Sequence, residues 1–99
     1  MNKKIVELLK SREFVSVATC DFDGRPNAAS KFLLRIEGNF IYLVDYFVGK
    51  TYRNLGSNPR ISISFMDISS LVGYQLNGLV KIIESGPEYD SLVKDLLQR

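Results

Sequence analysis

Five short runs of β-branched and aromatic residues, each closed by turn-forming residues, constrain the fold of this chain more than any other feature. Residues 60–65 show the pattern most clearly, because isoleucine and phenylalanine alternate there with serine, as in a strand with one buried face. The segment DFDGRP at 21–26 contains Asp23-Gly24, a pair that suits a tight hairpin. Strands are therefore predicted over residues 14–20, 27–36, 40–44, 60–65 and 73–84.

Three helical segments accompany the predicted strands. Residues 3–11 carry apolar side chains at the i, i+3 and i+4 positions of one helix face. Residues 49–55 predict a shorter helix, with Gly56 as its left-handed stop. Pro87 can occupy the first position of a last helix. The apolar stripe of that last helix would consist of Leu92, Val93, Leu96 and Leu97.

These elements predict a single domain over residues 1–99 that is mainly β, with antiparallel strands in a small barrel and short flanking helices. A barrel removes the sheet edges that a small antiparallel domain otherwise has to protect, and an open sheet is the alternative. The uninterrupted apolar run 40–44 predicts a strand buried on both faces. Gly78, inside the last strand, predicts a bulge or a close backbone approach.

Composition narrows the possible functions. The chain contains no histidine and one cysteine, Cys20, so His-based triads and most transition-metal sites are excluded and no metal site is predicted. A net charge of +2, with lysine and arginine scattered along the chain, argues against a nucleic-acid partner. No apolar run approaches the roughly 18–20 residues of a membrane span, and we expect a cytoplasmic, reducing location. Any reactive group would therefore come from a cofactor.

The residues Gly49, Lys50 and Thr51 stand where the middle helix is predicted to begin. They do not form the phosphate loop of nucleotide hydrolases, because the earlier glycine and the parallel βαβ setting of that motif are missing. The first N–H groups of a helix are nevertheless unpaired, and the helix dipole favours an anion there. With a lysine and a hydroxyl beside them, these groups predict a phosphate site. The alternative is a solvated Lys50 and a Thr51 that caps the helix.

A second candidate cation lies on the preceding hairpin. Ser30 and Lys31 form a polar pair inside the predicted strand 27–36. Antiparallel pairing across the turn at 37–39 would place residue 31 opposite residue 45, which brings Lys31 close to Asp45 and to the start of the middle helix. The alternatives are an outward-facing strand lysine and an aspartate that only serves a turn.

The order of the motifs resembles the flavin-binding split-barrel family, the pyridoxamine 5′-phosphate oxidase-like superfamily, and its small FMN-binding proteins in particular. The resemblance extends over about residues 13–90 and rests on FVSVATCDFDGRPNAASKFLL, on FIYLVD followed by GKTYRNLGSNPRISISF, and on GYQLNGLVKIIESGPEYD. It implies a six-stranded antiparallel split barrel that forms a homodimer with one FMN in each groove between the subunits. Since five strands are predicted here, we expect the family's last strand to be missing from these residues.

The resemblance also implies roles for individual residues. One pair would bind the FMN phosphate, a second would contact the phosphate, the ribityl chain or the ring, and the backbone of a third would meet the isoalloxazine. These pairs are, in that order, Lys50 and Thr51, Ser30 and Lys31, and Val44 and Asp45.

The function implied by the resemblance is that of an FMN-binding flavoprotein with an oxidoreductase or electron-transfer role. The alternative is a non-enzymatic member of the same fold that binds haem, a deazaflavin or a partner protein. An unrelated small barrel that serves as an interaction module is a third interpretation. The Arg-rich substrate motif of true pyridoxamine 5′-phosphate oxidases is not visible, so that specific activity, a substrate and a catalytic residue are not predicted.

Overall fold

The structure of this chain is a computed structural model that describes residues 1–46 and 49–99. Five strands and three helices follow one another in the described residues. In chain order they are α1 (Lys3–Lys10), β1 (Phe14–Cys20), β2 (Pro26–Glu37), β3 (Phe40–Val44), α2 (Lys50–Ser57), β4 (Arg60–Asp67), β5 (Val72–Leu79) and α3 (Pro87–Leu97).

The strands form one antiparallel sheet in the order β3-β2-β1-β4-β5. The predicted mainly β architecture with short flanking helices is therefore confirmed. Within the described residues the sheet is open, because β3 and β5 are its two edges and do not pair with each other. An open sheet of this order is compatible with the split barrel that the resemblance implies.

The turn between β1 and β2 forms where the sequence predicts it. Asp21 accepts hydrogen bonds from the backbone N–H groups of Asp23 and Arg25, at 2.9 and 2.8 Å. The bond from the Arg25 N–H is the main reason why the pKa of Asp21 lies below its usual range. Gly24 has a φ of 85°, which glycine adopts without strain. The hairpin closes with Cys20 opposite Pro26.

The hydrophobic core lies between one face of the sheet and helix α1. Strand β1 shows how the alternation creates it, because Val15 and Val17 are buried while Ser16 and Ala18 are exposed on the other face. From α1, Leu9 is fully buried against this face. The buried core cluster consists of Leu9, Val15, Val17, Leu33, Ile63 and Phe65.

Two predictions about the strands are wrong at the sheet edges. None of the residues of β3 is fully buried, and Phe40 is largely exposed, because β3 is an edge strand and has only β2 as a neighbour. The last strand ends at Leu79 instead of residue 84. Its partner β4 begins at Arg60, which pairs with Leu79. One further backbone bond follows, from the Val80 N–H to the Pro59 carbonyl, and the ladder ends there because proline has no N–H to donate.

Two predictions about glycines are also wrong. Helix α2 continues through Gly56 and ends at Ser57, because Pro59 favours the extended conformation that Asn58 adopts. Gly78 pairs regularly with Ile61, and no atom lies within 4 Å of the position a Cβ would take. The register shift of the sheet lies instead on β2, between Leu33 and Arg35.

Helix α3 begins at Pro87 as predicted, but its apolar stripe is not buried in the described structure. No residue of α3 is fully buried, and Leu97 is 80% exposed. Polar contacts fasten the helix to β2: Arg35 forms an ion pair with Asp95 at 3.5 Å, and Arg99 donates to the carbonyl of Leu34. None of the described helices is long and apolar enough to cross a membrane.

Candidate functional site

Two side-chain hydrogen bonds fix helix α2 on the sheet. Asn54 Nδ2 donates to Thr19 Oγ1 at 3.1 Å, and both residues are buried. One turn earlier on the same face of the helix, Thr51 Oγ1 accepts from Asn27 Nδ2 at 3.4 Å. Buried polar groups are costly without a partner, so these pairs define the position of α2 over β1 and β2.

The beginning of α2 has the features of an anion site. Its N-cap is Gly49, which has no side chain with which to cap the helix. Thr51 therefore does not cap the helix, and its hydroxyl contacts Asn27 instead. Lys50 is exposed at the first helical position and places its charge beside the N-terminal end of the helix dipole. A phosphate at this point would meet a cation and the first N–H groups of the helix.

A second group of charges lies where β2 and β3 pair. Phe32 is opposite Val44, so Lys31 is opposite Asp45, as predicted. Lys31 Nζ lies 2.6 Å from Asp45 Oδ1, and the two side chains are 15% and 30% exposed. Lys31 pairs with the buried Val15 of β1, so its side chain is on the core side of the sheet. The interpretation of Lys31 as an outward-facing strand lysine is therefore wrong.

One row of side chains on β2 connects these two groups. Asn27, Ala29 and Lys31 share a face of the sheet because side chains alternate along a strand. Lys31 lies four positions after Asn27 along the strand, which corresponds to a distance of about 13 Å. Ala29, between them, has only a methyl group and is half-buried. The row thus extends from the contact with Thr51 to the Lys31–Asp45 ion pair.

Ser30 and Val44 lie on the opposite face of the sheet. Ser30 pairs with Ser16, and Val44 with Phe32, in the register of β1, β2 and β3. The resemblance groups Ser30 with Lys31, and Val44 with Asp45 through their backbone, but a strand directs neighbouring side chains to opposite faces. Within one copy of the chain, the structure brings together the side chains of Lys31 and Asp45 and places those of Ser30 and Val44 elsewhere.

The opposite face is lined by small side chains. Ser16 of β1 pairs with Ser30 on one side and with Ser64 on the other, and all three are exposed. Ala18 and Ala28 also pair and are exposed. Helices α1 and α2 lie on the other side of the sheet, so they do not cover this face.

The polar residues that anchor α2 were not recognised in the sequence. The sequence pattern predicts only strands and a helix for the segments that contain Asn27, Thr19 and Asn54. One signal for them exists, because Thr51 and Asn54 are three residues apart and therefore share a helix face. A polar pair on the face that packs against the sheet indicates buried hydrogen bonds, but only the packing of α2 identifies their partners.

A further hydrogen bond fastens the solvent side of α2. The Tyr52 hydroxyl donates to the Glu84 carboxylate, in the segment that joins β5 to α3. This bond is the largest cause of the raised pKa of Tyr52, since the phenol is the donor and its ionised form would be repelled by the carboxylate. The segment is also held at its start, where the Val80 N–H donates to the Pro59 carbonyl at 2.8 Å.

We expect Asn54→Ala to lower the free energy of unfolding by about 1–3 kcal/mol, because it leaves the buried Thr19 hydroxyl without its donor. Urea denaturation of the purified variant measures this loss. Asn77→Ala is the control: Asn77 is exposed on β5, and its substitution should change stability by less than about 0.5 kcal/mol. Equal effects of the two substitutions would contradict the anchoring role of Asn54.

A comparison with protein families gives one match over the full chain. The family model described as pyridoxamine 5′-phosphate oxidase matches residues 1–99. Among curated proteins, the chain is similar to the uncharacterized protein MJ0282 of Methanocaldococcus jannaschii, with 27% identity over 95 residues. The match covers 91% of this chain, but the chain spans only 62% of the length of that relative.

Solved structures share the fold. The crystal structure of HupZ from Group A Streptococcus has a TM-score of 0.86 and 27% identity, covering 100% of this chain and 79% of its own. A protein of the pyridoxinephosphate oxidase family from Clostridium acetobutylicum has a TM-score of 0.77 at 24% identity, covering 93% and 68%. HutZ from Vibrio cholerae, described as a heme storage protein, has a TM-score of 0.76 at 17% identity, covering 96% and 72%. The last two similarities show the fold alone.

Proposed function

The chain belongs to the pyridoxamine 5′-phosphate oxidase family, and from that premise we propose that it is an FMN-binding flavoprotein with an oxidoreductase or electron-transfer role. The observation that carries the proposal is the row on β2 that connects the start of α2 with the Lys31–Asp45 ion pair. An anion site at one end and a polar, half-buried pair at the other suit a ligand with a phosphate and a ring.

The residues at the start of α2 fit the phosphate of FMN. Lys50 would supply a full positive charge, and the first N–H groups of the helix would donate hydrogen bonds. Thr51 would line the same position, held by Asn27. Lys31 and Asp45 would lie at the ring end. FMN would supply the ability to accept and donate electrons.

We propose that the protein acts as a homodimer with FMN at the interface. The Ser30 side chain faces away from Lys31 within one copy, so in this arrangement it would contribute to the site of a second copy. Val44 would meet the ring through its backbone, which does not depend on the face that its side chain occupies. Exposed small side chains, such as those of Ser16 and Ser64, support the proposal because they allow a second surface to approach closely. A cytoplasmic location agrees with the single Cys20, which has no disulfide partner in these residues.

The visible absorption spectrum of the protein as purified tests the cofactor. We expect the absorption bands of bound flavin, or, if the protein is purified without it, quenching of FMN fluorescence on titration with a stoichiometry of one FMN per chain. Riboflavin is the matched control, because it lacks only the phosphate and should bind more weakly. A folded protein that neither contains FMN nor quenches its fluorescence would contradict the proposal.

Haem is the second candidate ligand, because HutZ, a protein of the same fold, is described as a heme storage protein. The 99 residues contain no histidine, so an imidazole from these residues could not ligate the iron. Titration with hemin distinguishes the candidates: a shifted Soret band that saturates at one hemin per chain, without FMN binding, would favour haem.

A further inference from the structure

Asn27, Ala29 and Lys31 form the row of side chains on β2. The ion pair between Lys31 and Asp45 sets the charge that a ligand would meet at the Lys31 end of this row. Among the described residues, Asp45 is the only carboxylate within ion-pair distance of Lys31. The two groups are 2.6 Å apart, and both side chains are at least partly buried. The pair therefore has no net charge, although its lysine alone would present a cation.

The ion pair lies where the far end of an extended ligand would be if the ligand's phosphate were bound at the start of α2. Along β2, Lys31 lies about 13 Å from Asn27, which contacts Thr51 at the start of α2. A ligand with its phosphate at Lys50 that follows β2 would reach the ion pair with its other end. In FMN that end is the ring, so the inference below rests on the proposed function.

We propose that Asp45 is a charge-compensating residue of the FMN site. By pairing with Lys31, it keeps the ring end of the site neutral, which limits how strongly the site prefers the anionic, reduced ring over the neutral, oxidised ring. Lys31 without Asp45 would favour the reduced ring, and Asp45 without Lys31 would disfavour it. The relative affinity for the two redox states is thus set by the pair.

The physical basis is that charges interact over several ångströms when they are partly removed from water. At the edge of a protein the effective dielectric constant is lower than in bulk water, so a single uncompensated charge beside the ring acts on its charge state. Two opposite charges 2.6 Å apart act as a dipole, and the potential of a dipole falls off faster with distance than that of a single charge. Removing one partner of the pair therefore changes the electrostatic field at the ring more than removing both partners.

Four proteins test this inference: the wild type, Asp45→Asn, Lys31→Met and the double variant. The dissociation constant for oxidised FMN comes from fluorescence titration. The midpoint potential of the bound flavin comes from anaerobic equilibration with a reference dye, and together they give the affinity for reduced FMN. Asp45→Asn should raise the affinity for reduced relative to oxidised FMN by about tenfold, which corresponds to about 30 mV for a two-electron couple.

Lys31→Met should change the same affinity ratio in the opposite direction, and the double variant should return to within about threefold of the wild type, because the pair and its absence are both neutral. Asp95→Asn is the matched control. Asp95 is also ion-paired, to Arg35, and its side chain has a similar exposure of 31%, but it lies on α3. A change confined to stability would not produce opposite shifts in the two single variants.

The outcomes separate the inference from the proposed function. If the folded wild type does not bind FMN, both are overturned. If the wild type binds FMN but the affinity ratio of Asp45→Asn stays within about threefold of the wild type, only the charge-compensating role of Asp45 is overturned. The same conclusion follows if the double variant keeps the shift of Asp45→Asn, because net charge would then not be the cause.

Discussion

Substitution of Lys50 by glutamate is expected to weaken FMN binding by about 30-fold or more, while the affinity for riboflavin changes by less than about threefold. The exposed Lys50 is the first residue of α2, so its ammonium group lies beside the N-terminal end of the helix. The substitution removes a charge-assisted contact and places a carboxylate near the phosphate, where it repels the phosphate and itself interacts with the positive end of the helix dipole. Riboflavin carries no phosphate and does not experience this change.

Fluorescence titrations with both ligands measure the effect. Lys94→Glu is the control with the same change of charge, since Lys94 is exposed on α3 and lies outside the proposed site. It should leave both affinities nearly unchanged. The wild-type affinity for FMN should also fall as salt is added, because exposed charges are screened. If Lys50→Glu weakens the two ligands equally, the phosphate does not bind at the start of α2.

Substitution of Leu9 by alanine is expected to lower the free energy of unfolding by about 3 kcal/mol. Leu9 is 0% exposed and is the fully buried residue through which α1 enters the core cluster. The smaller side chain loses hydrophobic burial and leaves a cavity between the helix and the sheet, which the rigid strands cannot fill completely. A domain of this size has only a small margin of stability, so the loss is a large fraction of the total.

Urea denaturation followed by circular dichroism gives the stability of the two proteins. Leu97→Ala is the matched control, because Leu97 is also a helical leucine but is 80% exposed on α3. Its substitution should change stability by less than about 0.5 kcal/mol. A loss at Leu97 comparable to that at Leu9 would mean that the exposed face of α3 is covered in solution, contrary to the arrangement of the single chain.

The elements of the fold were largely predictable from local pattern. β1, which alternates strictly and ends at turn residues, was predicted with its observed bounds, and so was β3. The predictions of strand bounds and burial were wrong where a neighbouring strand determines them. β5 ends at Leu79 because β4 begins at Arg60, and β3 is incompletely buried because it is an edge. Neither the end of β5 nor the edge position of β3 can be inferred from the residues of that strand alone.

The candidate site was predictable to the extent that it depends on register. The turn after β2 sets the pairing with β3, so the position of Lys31 opposite Asp45 followed from the count of residues. The separation of Ser30 from Lys31 also follows from alternation, although the resemblance to the family grouped them. Asn27 was missed, because its role depends on where α2 lies over the sheet.

The strands and helices, the hairpin register and the cation at the start of α2 follow from the sequence, since they depend on residues close to one another in the chain. The contacts between distant side chains depend on the packing of the elements: Asn54 meets Thr19, Asn27 meets Thr51, and Lys31 lies on the core side of the sheet. A helix could pack on the sheet in many positions that bury a similar amount of apolar surface, so hydrophobic burial alone does not select one of them. Buried polar groups that find partners in only one of these positions then fix the helix there.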